Sequence, residues 1–159
     1  GNYAASLRSL TEAYAHGCSQ VCFLDAATGL DLEELGAMNI VVVRADGQVV
    51  TPALNGSILE GVTRDSLLTL LGETGHEVVE RALPLAEVLG DLRSGAVTEV
   101  FACGTGAVVN PIGRLVGRDL DQAVGDGTTG PVTAAVRARL TDIQHGRAPD
   151  AHGWMHRLV

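Results

Sequence analysis

The seven residues Met38 to Arg44, MNIVVVR, constrain this chain more than any other stretch. A β-branched run of this kind is stiff at χ1 and suits the pleated surface of a buried strand better than a helix. It stops at Asp46-Gly47, a strong hairpin signal, and Gln48 to Thr51 follows where a returning antiparallel strand belongs. Ser19 to Asp25 reads as another strand of the same sheet, closed off by the turn residues AATG. Around them, Ala4 to His16 sets Leu7, Leu10, Ala13 and Tyr14 on one helical face and ends at Gly17. Thr63 reads as the N-cap of a helix that carries Ser66, Leu67, Leu68, Leu70 and Leu71 and ends near Gly72 or Gly75. A strand (77–83), a helix opened by Pro84 and an apolar strand (99–103) come next, the last ending in Gly104-Thr105-Gly106. Val108 to Val116 reads as one resumed strand around Pro111. Residues 117–130 read as a Gly-rich acidic loop, before a final helix with Pro131 at N1 and Gly146 at C′.

Strands and helices that intermix through hairpin turns predict an α+β fold with a mixed sheet or pseudo-barrel. With no internal repeat and no linker, residues 1–159 form one compact soluble domain. Nineteen acidic residues against eleven basic ones leave a formal charge of −8, and all eleven basic residues are arginine. Without a basic stripe to release counterions from phosphates, neither nucleic acid nor an anionic membrane is the expected partner. No lysine occurs, so these residues supply no Schiff-base, P-loop or general-base lysine of their own. Cys18, Cys22 and Cys103 make an odd, unpatterned set that reads as free thiols in a reducing, cytoplasmic setting. No apolar run reaches the roughly 18 residues of a membrane span, and the N-terminus has no signal-peptide pattern. Gly1 is not a start methionine, so residues upstream of it are expected.

Two places could bind an anion. Gly61-Val62-Thr63 opens a helix straight after a loop, which aims free N–H groups and the positive end of the dipole outward. Gly104-Thr105-Gly106 follows a strand and lets backbone approach a ligand closely. Each also reads as an ordinary cap or turn. The alternation through Leu30 to Asn39 turns one of Glu33 and Glu34 inward, where a carboxylate needs a cationic or protonated partner, or leaves both solvated at a strand edge. Tyr3 is either a phenolic donor to a ligand or a packed residue beside a chain end. His152 and His156 have metal-compatible spacing, but Gly153 between them makes the segment read as a surface tail anchored by Trp154, and no metal is expected.

Taken in order, these segments resemble the class IV pyridoxal-phosphate aminotransferases. Glu34 to Ile40 (ELGAMNI), Thr51, and Leu59 to Arg64 (LEGVTR) fit the family's spaced signature, with Val41 where an aromatic is usual. Within the class, the chain is most similar to the branched-chain aminotransferases of actinobacterial type, nearly end to end. The matching runs are GNYAASL (1–7), EELGAMN (33–39), SILEGVTRDSLL (57–68), EVFACGTGAVVNP (99–111), LTDIQHGR (140–147) and HGWMHRL (152–158).

The resemblance implies a D-amino-acid-aminotransferase-like C-terminal large domain that binds pyridoxal 5'-phosphate. It puts Glu34 on the pyridinium nitrogen, Tyr3 on the cofactor's phenolic oxygen, and Val62, Thr63 and Thr105 on its phosphate. Gly106 and Ala107 then hold the substrate carboxylate, with Ala37 beside them. Departures at Ala37, Glu60, Gly106 and Asn110 bear on the shape of that carboxylate site. The family's catalytic lysine lies five positions before its tyrosine, hence three before Gly1. That lysine and the small N-terminal domain are therefore expected outside these 159 residues. The implied reaction is amino transfer between valine, leucine or isoleucine and 2-oxoglutarate, by a cytoplasmic homodimer engaged in branched-chain amino-acid biosynthesis. The alternatives are another class IV activity, such as a D-amino-acid transaminase or an aminodeoxychorismate lyase, or a lysine-free module that binds the cofactor without turnover.

Overall fold

A computed structural model describes residues 6–156 and residue 158. Tyr3 lies outside the described residues. In chain order the elements are α1 (Ser6–Ala15), β1 (Cys22–Leu24), β2 (Leu32–Leu35), β3 (Met38–Arg44), β4 (Gln48–Pro52), α2 (Val62–Glu73), β5 (Glu77–Arg81), α3 (Leu85–Ser94), β6 (Val97–Gly104), β7 (Val108–Pro111), β8 (Arg114–Gly117), β9 (Leu120–Ala123) and α4 (Pro131–Gln144).

The β-branched run does form the central strand, β3, with the predicted bounds. Its alternate residues enter two cores, which explains why the run shows no polar alternation. Val41 and Val43 pack with Val49, Phe101 and Cys103 beneath Leu67, Leu70 and Leu71 of α2 and Val136, Leu140 and Ile143 of α4. Ile40 and Val42 face the other way, against Val50, Val100, Val88 and Leu92 of α3, and Leu115 and Val124. Burying each such side chain contributes about 1.5–3 kcal/mol, so the sheet is held from both faces.

The sheet forks at β3. One edge of β3 pairs with β6 along Asn39 to Arg44. The other edge is shared by β2, at Met38 and Asn39, and β4, at Val42 and Val43. Where these partners part, the Ile40 carbonyl accepts a hydrogen bond from the Thr51 hydroxyl at 2.7 Å, which keeps a buried acceptor satisfied. β1 adds to β2, β7 to β6 and β5 to β4. β4 and β5 run parallel with α2 as their crossover, and the other pairings are antiparallel, so the sheet is mixed as expected.

Three expectations are corrected. Gly61 (φ −71°, ψ 125°), not Thr63, occupies the N-cap of α2, and Thr63 lies within the first turn. Val108 to Val116 is two strands: β7 stays with β6, while β8 leaves the sheet to pair with β9. Pro111 lacks the N–H that would extend a ladder, and Gly113 crosses so near Gly127 that a Cβ on it would stand 2.6 Å from the Gly127 carbonyl oxygen. β9 falls inside the stretch read as loop, where Asp121 accepts from Arg114 across the hairpin.

The carboxy-terminal segment folds back onto the first core through Trp154. His152 stacks on Trp154 with ring centroids 4.3 Å apart, and its Nε2 lies 2.8 Å from Glu73 of α2. Among the described residues, no helix is long and apolar enough to cross a membrane, and no three metal-ligating side chains gather.

Candidate functional site

The site is built where the sheet forks. Glu34 of β2 stands opposite Asn39 of β3 in the strand register. One Glu34 carboxylate oxygen accepts the Leu59 N–H at 2.7 Å, and the Asn39 carboxamide donates to the Leu59 carbonyl at 2.9 Å. Leu59 belongs to the loop that leaves β4 and enters α2, so the fork ties this loop to the glutamate. Both Glu33 and Glu34 are half-buried rather than one turning fully inward. Glu33 accepts from Asn55 and Ser57 of the same loop.

Two residues after Leu59 comes Gly61. A Cβ there would stand 2.2 Å from Asn39 Oδ1, so only glycine brings the chain this near β3. Glycine also provides no capping oxygen, and no side chain caps α2. The first intrahelical bond runs from Asp65 N–H to the Gly61 carbonyl, which leaves the amides before Asp65 without an intrahelical acceptor. Val62 is 82% exposed at this helix start, where the positive end of the dipole lies. The Thr63 hydroxyl has no hydrogen-bond partner among the described residues. Arg64 turns inward instead, donating to the Pro52 carbonyl at 3.0 Å and to Glu80 at 2.6 Å, and so pins α2 to β4 and β5.

The β6–β7 turn reaches the same end of the sheet. Cys103 pairs with Asn39, which places Thr105, Gly106 and Ala107 just beyond the start of β3. The β2–β3 turn with Ala37 lies alongside, and a Cβ on Gly104 would be 3.8 Å from the Ala37 carbonyl oxygen. Thr105 is exposed, with its hydroxyl unpartnered among the described residues. The turn ends on Val108 at φ 58°, a left-handed conformation that a β-branched residue adopts only at a cost of about 1–3 kcal/mol. Strain of this kind collects where a turn is held for function.

The structure therefore brings Glu34, Ala37, Val62, Thr63, Thr105, Gly106 and Ala107 to one end of one sheet. The donor set is the uncapped start of α2 with the Thr63 and Thr105 hydroxyls, and the acceptor is a carboxylate with lone pairs to spare. Such an arrangement suits a ligand with an anionic group at one end and a protonated nitrogen at the other. The face is open: a cavity of about 750 Å³ touches Leu35 and Met38 but lies toward Ser19, Arg114 and Leu115, away from Glu34.

Residues 1–115 match the family Amino-transferase class IV. The chain belongs to the class IV aminotransferase family. A relative named probable branched-chain-amino-acid aminotransferase, from Streptomyces coelicolor, is 49% identical over 159 residues, all of this chain and 44% of its own length. The fold matches the crystal structure of Escherichia coli branched-chain amino acid aminotransferase with a TM-score of 0.84 and 32% identity, over 99% of this chain and 47% of that one. It also matches a second branched-chain amino acid aminotransferase, solved as a complex with N-(5'-phosphopyridoxyl)-L-glutamate, with a TM-score of 0.82 and 29% identity, over 98% of this chain and 48% of that one. The chain spans less than half the length of these relatives. As a class IV aminotransferase it has an α+β fold that its sequence anticipated. Sequence reasoning missed Asn39, although an amide beside an apolar run was a signal for it; Gly61 stood in the predicted anion-binding helix start, with its cap role given to Thr63.

Proposed function

We propose that this chain is the cofactor-binding large-domain portion of a branched-chain aminotransferase that uses pyridoxal 5'-phosphate. The observation that carries the reading is the link through Leu59, which joins the Glu34 carboxylate to an uncapped helix N-terminus in a member of this family. When bound, pyridoxal 5'-phosphate supplies an electron sink and a carrier for the amino group.

The chain's own residues divide the work of holding and tuning. The amides of Val62 and Thr63, with the Thr63 and Thr105 hydroxyls, bind the phosphate at the positive end of the α2 dipole. Glu34 spends one acceptor position on Leu59 and keeps the rest for a pyridinium N–H, whose proton its negative charge retains. Tyr3 donates to the phenolic oxygen. The Gly106 and Ala107 amides hold the substrate carboxylate, with Ala37 shaping the space beside them. The lysine that moves the substrate proton is absent from these 159 residues and is supplied from outside them. Leu59 and Val62, 59% and 82% exposed, form apolar surface beside the site, which supports a covering surface from a small N-terminal domain or a second subunit of a cytoplasmic homodimer.

The test is amino transfer by the full-length gene product, with valine, leucine or isoleucine as donor and 2-oxoglutarate as acceptor. Glutamate formation that falls at least about 100-fold in Glu34→Gln, with cofactor still bound, is expected. A preference for D-alanine would move the reading to a D-amino-acid transaminase, and lyase action on aminodeoxychorismate to that activity. Cofactor binding with no turnover of any of these would make the protein a binding module.

A further inference from the structure

Leu59 is held in an unusual way: side chains of the sheet reach both of its main-chain groups, Glu34 the N–H at 2.7 Å and Asn39 the carbonyl at 2.9 Å, and the carbonyl also accepts from the Gly61 N–H at 2.8 Å. Its own side chain is 59% exposed, so core packing does not fix its place. Asn39 is 4% exposed and stands immediately before the apolar run Ile40 to Val43. A buried amide is costly where a valine would pack equally well, and it is tolerated only for the hydrogen bonds it makes. Its Oδ1 meanwhile lies against Gly61, the cap residue from which Val62 and Thr63 follow.

We propose that Asn39 is a positioning residue which, by clamping Leu59 together with Glu34, sets the distance between the Glu34 carboxylate and the first amides of α2. The inference rests on the function proposed above, which assigns the two ends of one cofactor to these two groups. Neither group alone binds tightly at an open, hydrated surface. Held at the right separation, they engage a phosphate and a protonated ring nitrogen in a single event, and the second contact costs little further ordering. The Asn39 carboxamide bonds to the Leu59 carbonyl and not to the Glu34 carboxylate or to an amide of α2, so its loss removes the registration of the two half-sites and leaves their own groups in place.

The experiment compares three probes on the full-length apo protein and its Asn39→Ala variant: pyridoxal 5'-phosphate, pyridoxal, and inorganic phosphate. In the variant, affinity for pyridoxal 5'-phosphate is expected to weaken about tenfold or more, while pyridoxal and inorganic phosphate each stay within about threefold of wild type. Parallel weakening of all three marks a general structural role and overturns the proposal, as does unchanged binding of all three. Should Asn39→Ala not fold, Asn39→Ser, whose hydroxyl is too short to reach the Leu59 carbonyl but keeps a polar group at this position, is read by the same ratio. If the wild type binds no pyridoxal 5'-phosphate, the proposed function falls and this inference with it. If the wild type binds it and neither variant changes the ratio, only the clamp is overturned.

Discussion

Glu99 offers a quantitative test of how this sheet anchors its helices. Its carboxylate is 6% exposed and accepts three hydrogen bonds at the start of α4: Val132 N–H at 3.0 Å, Thr133 N–H at 2.8 Å and the Thr133 hydroxyl at 2.6 Å. A strand residue thus does what an N-cap side chain does locally elsewhere, because Gly130 at the cap has no side chain to offer. Hydrogen bonds to an ionised group contribute about 1.5–3 kcal/mol each, but a cavity beside Gly130, Pro131 and Val132 lets water recover part of that on truncation. Glu99→Ala should therefore cost about 3 kcal/mol. With a urea dependence of about 2 kcal/mol per molar, the unfolding midpoint falls by about 1.5 M. The same carboxylate explains Gly130, since a Cβ there would stand 2.1 Å from Glu99 Cδ. Gly130→Ala in wild type should cost about 2 kcal/mol by expelling the carboxylate, and almost nothing once Glu99 is alanine. Urea unfolding of the two single variants and the double variant, followed by circular dichroism, measures the coupling. A midpoint shift below about 0.5 M for Glu99→Ala, or additive costs in the double variant, would refute remote capping of α4.

Two further expectations concern ionisation. The Asp25 carboxyl is held well below its ordinary 3.8, first by the Thr28 hydroxyl and then by the N–H groups of Asp31 and Thr28. Because the folded state binds that proton less readily than the unfolded chain, the stabilisation is present above about pH 4 and is lost as pH falls through the lower folded value. Asp25→Asn should flatten the acid limb of the stability curve between about pH 4 and pH 2, and an unchanged limb would remove Asp25 as its source. Burial pushes the Cys103 thiol up to about 12, partly offset by the Arg64 charge, and the Cys22 thiol up to about 11. Iodoacetamide near pH 8 should label Cys18 first and spare Cys22 and Cys103 until denaturant is added. Mass spectrometry finding Cys103 labelled at the rate of Cys18 in the native protein would contradict that burial.

Local chemistry made much of this molecule readable in one dimension. The run 38–44, the Asp46-Gly47 turn, and Pro84 and Pro131 at helix starts each act through dihedral preferences of a few adjacent residues, and β3, β4, α3 and α4 stand where those preferences put them. Thr63 fails to cap α2 for a reason that is not local. A threonine before an apolar run satisfies the capping rule, yet Asn39 across the fork demands a glycine two residues earlier, and the helix starts there. The split of β7 from β8 has the same origin in the contact between Gly113 and Gly127.

The candidate site divides along the same line. Order along the chain determined which residue types were available: a carboxylate at Glu34, glycine and threonine at 61–63 and 104–106, a long apolar strand, and no lysine. Only the tertiary structure decided that Glu34 and the start of α2 meet through Leu59, and that the Thr105 turn arrives beside them. Strand pairing and a forked edge bring together groups separated by about 25 to 70 positions, and no period or propensity encodes a contact made through the partner strand.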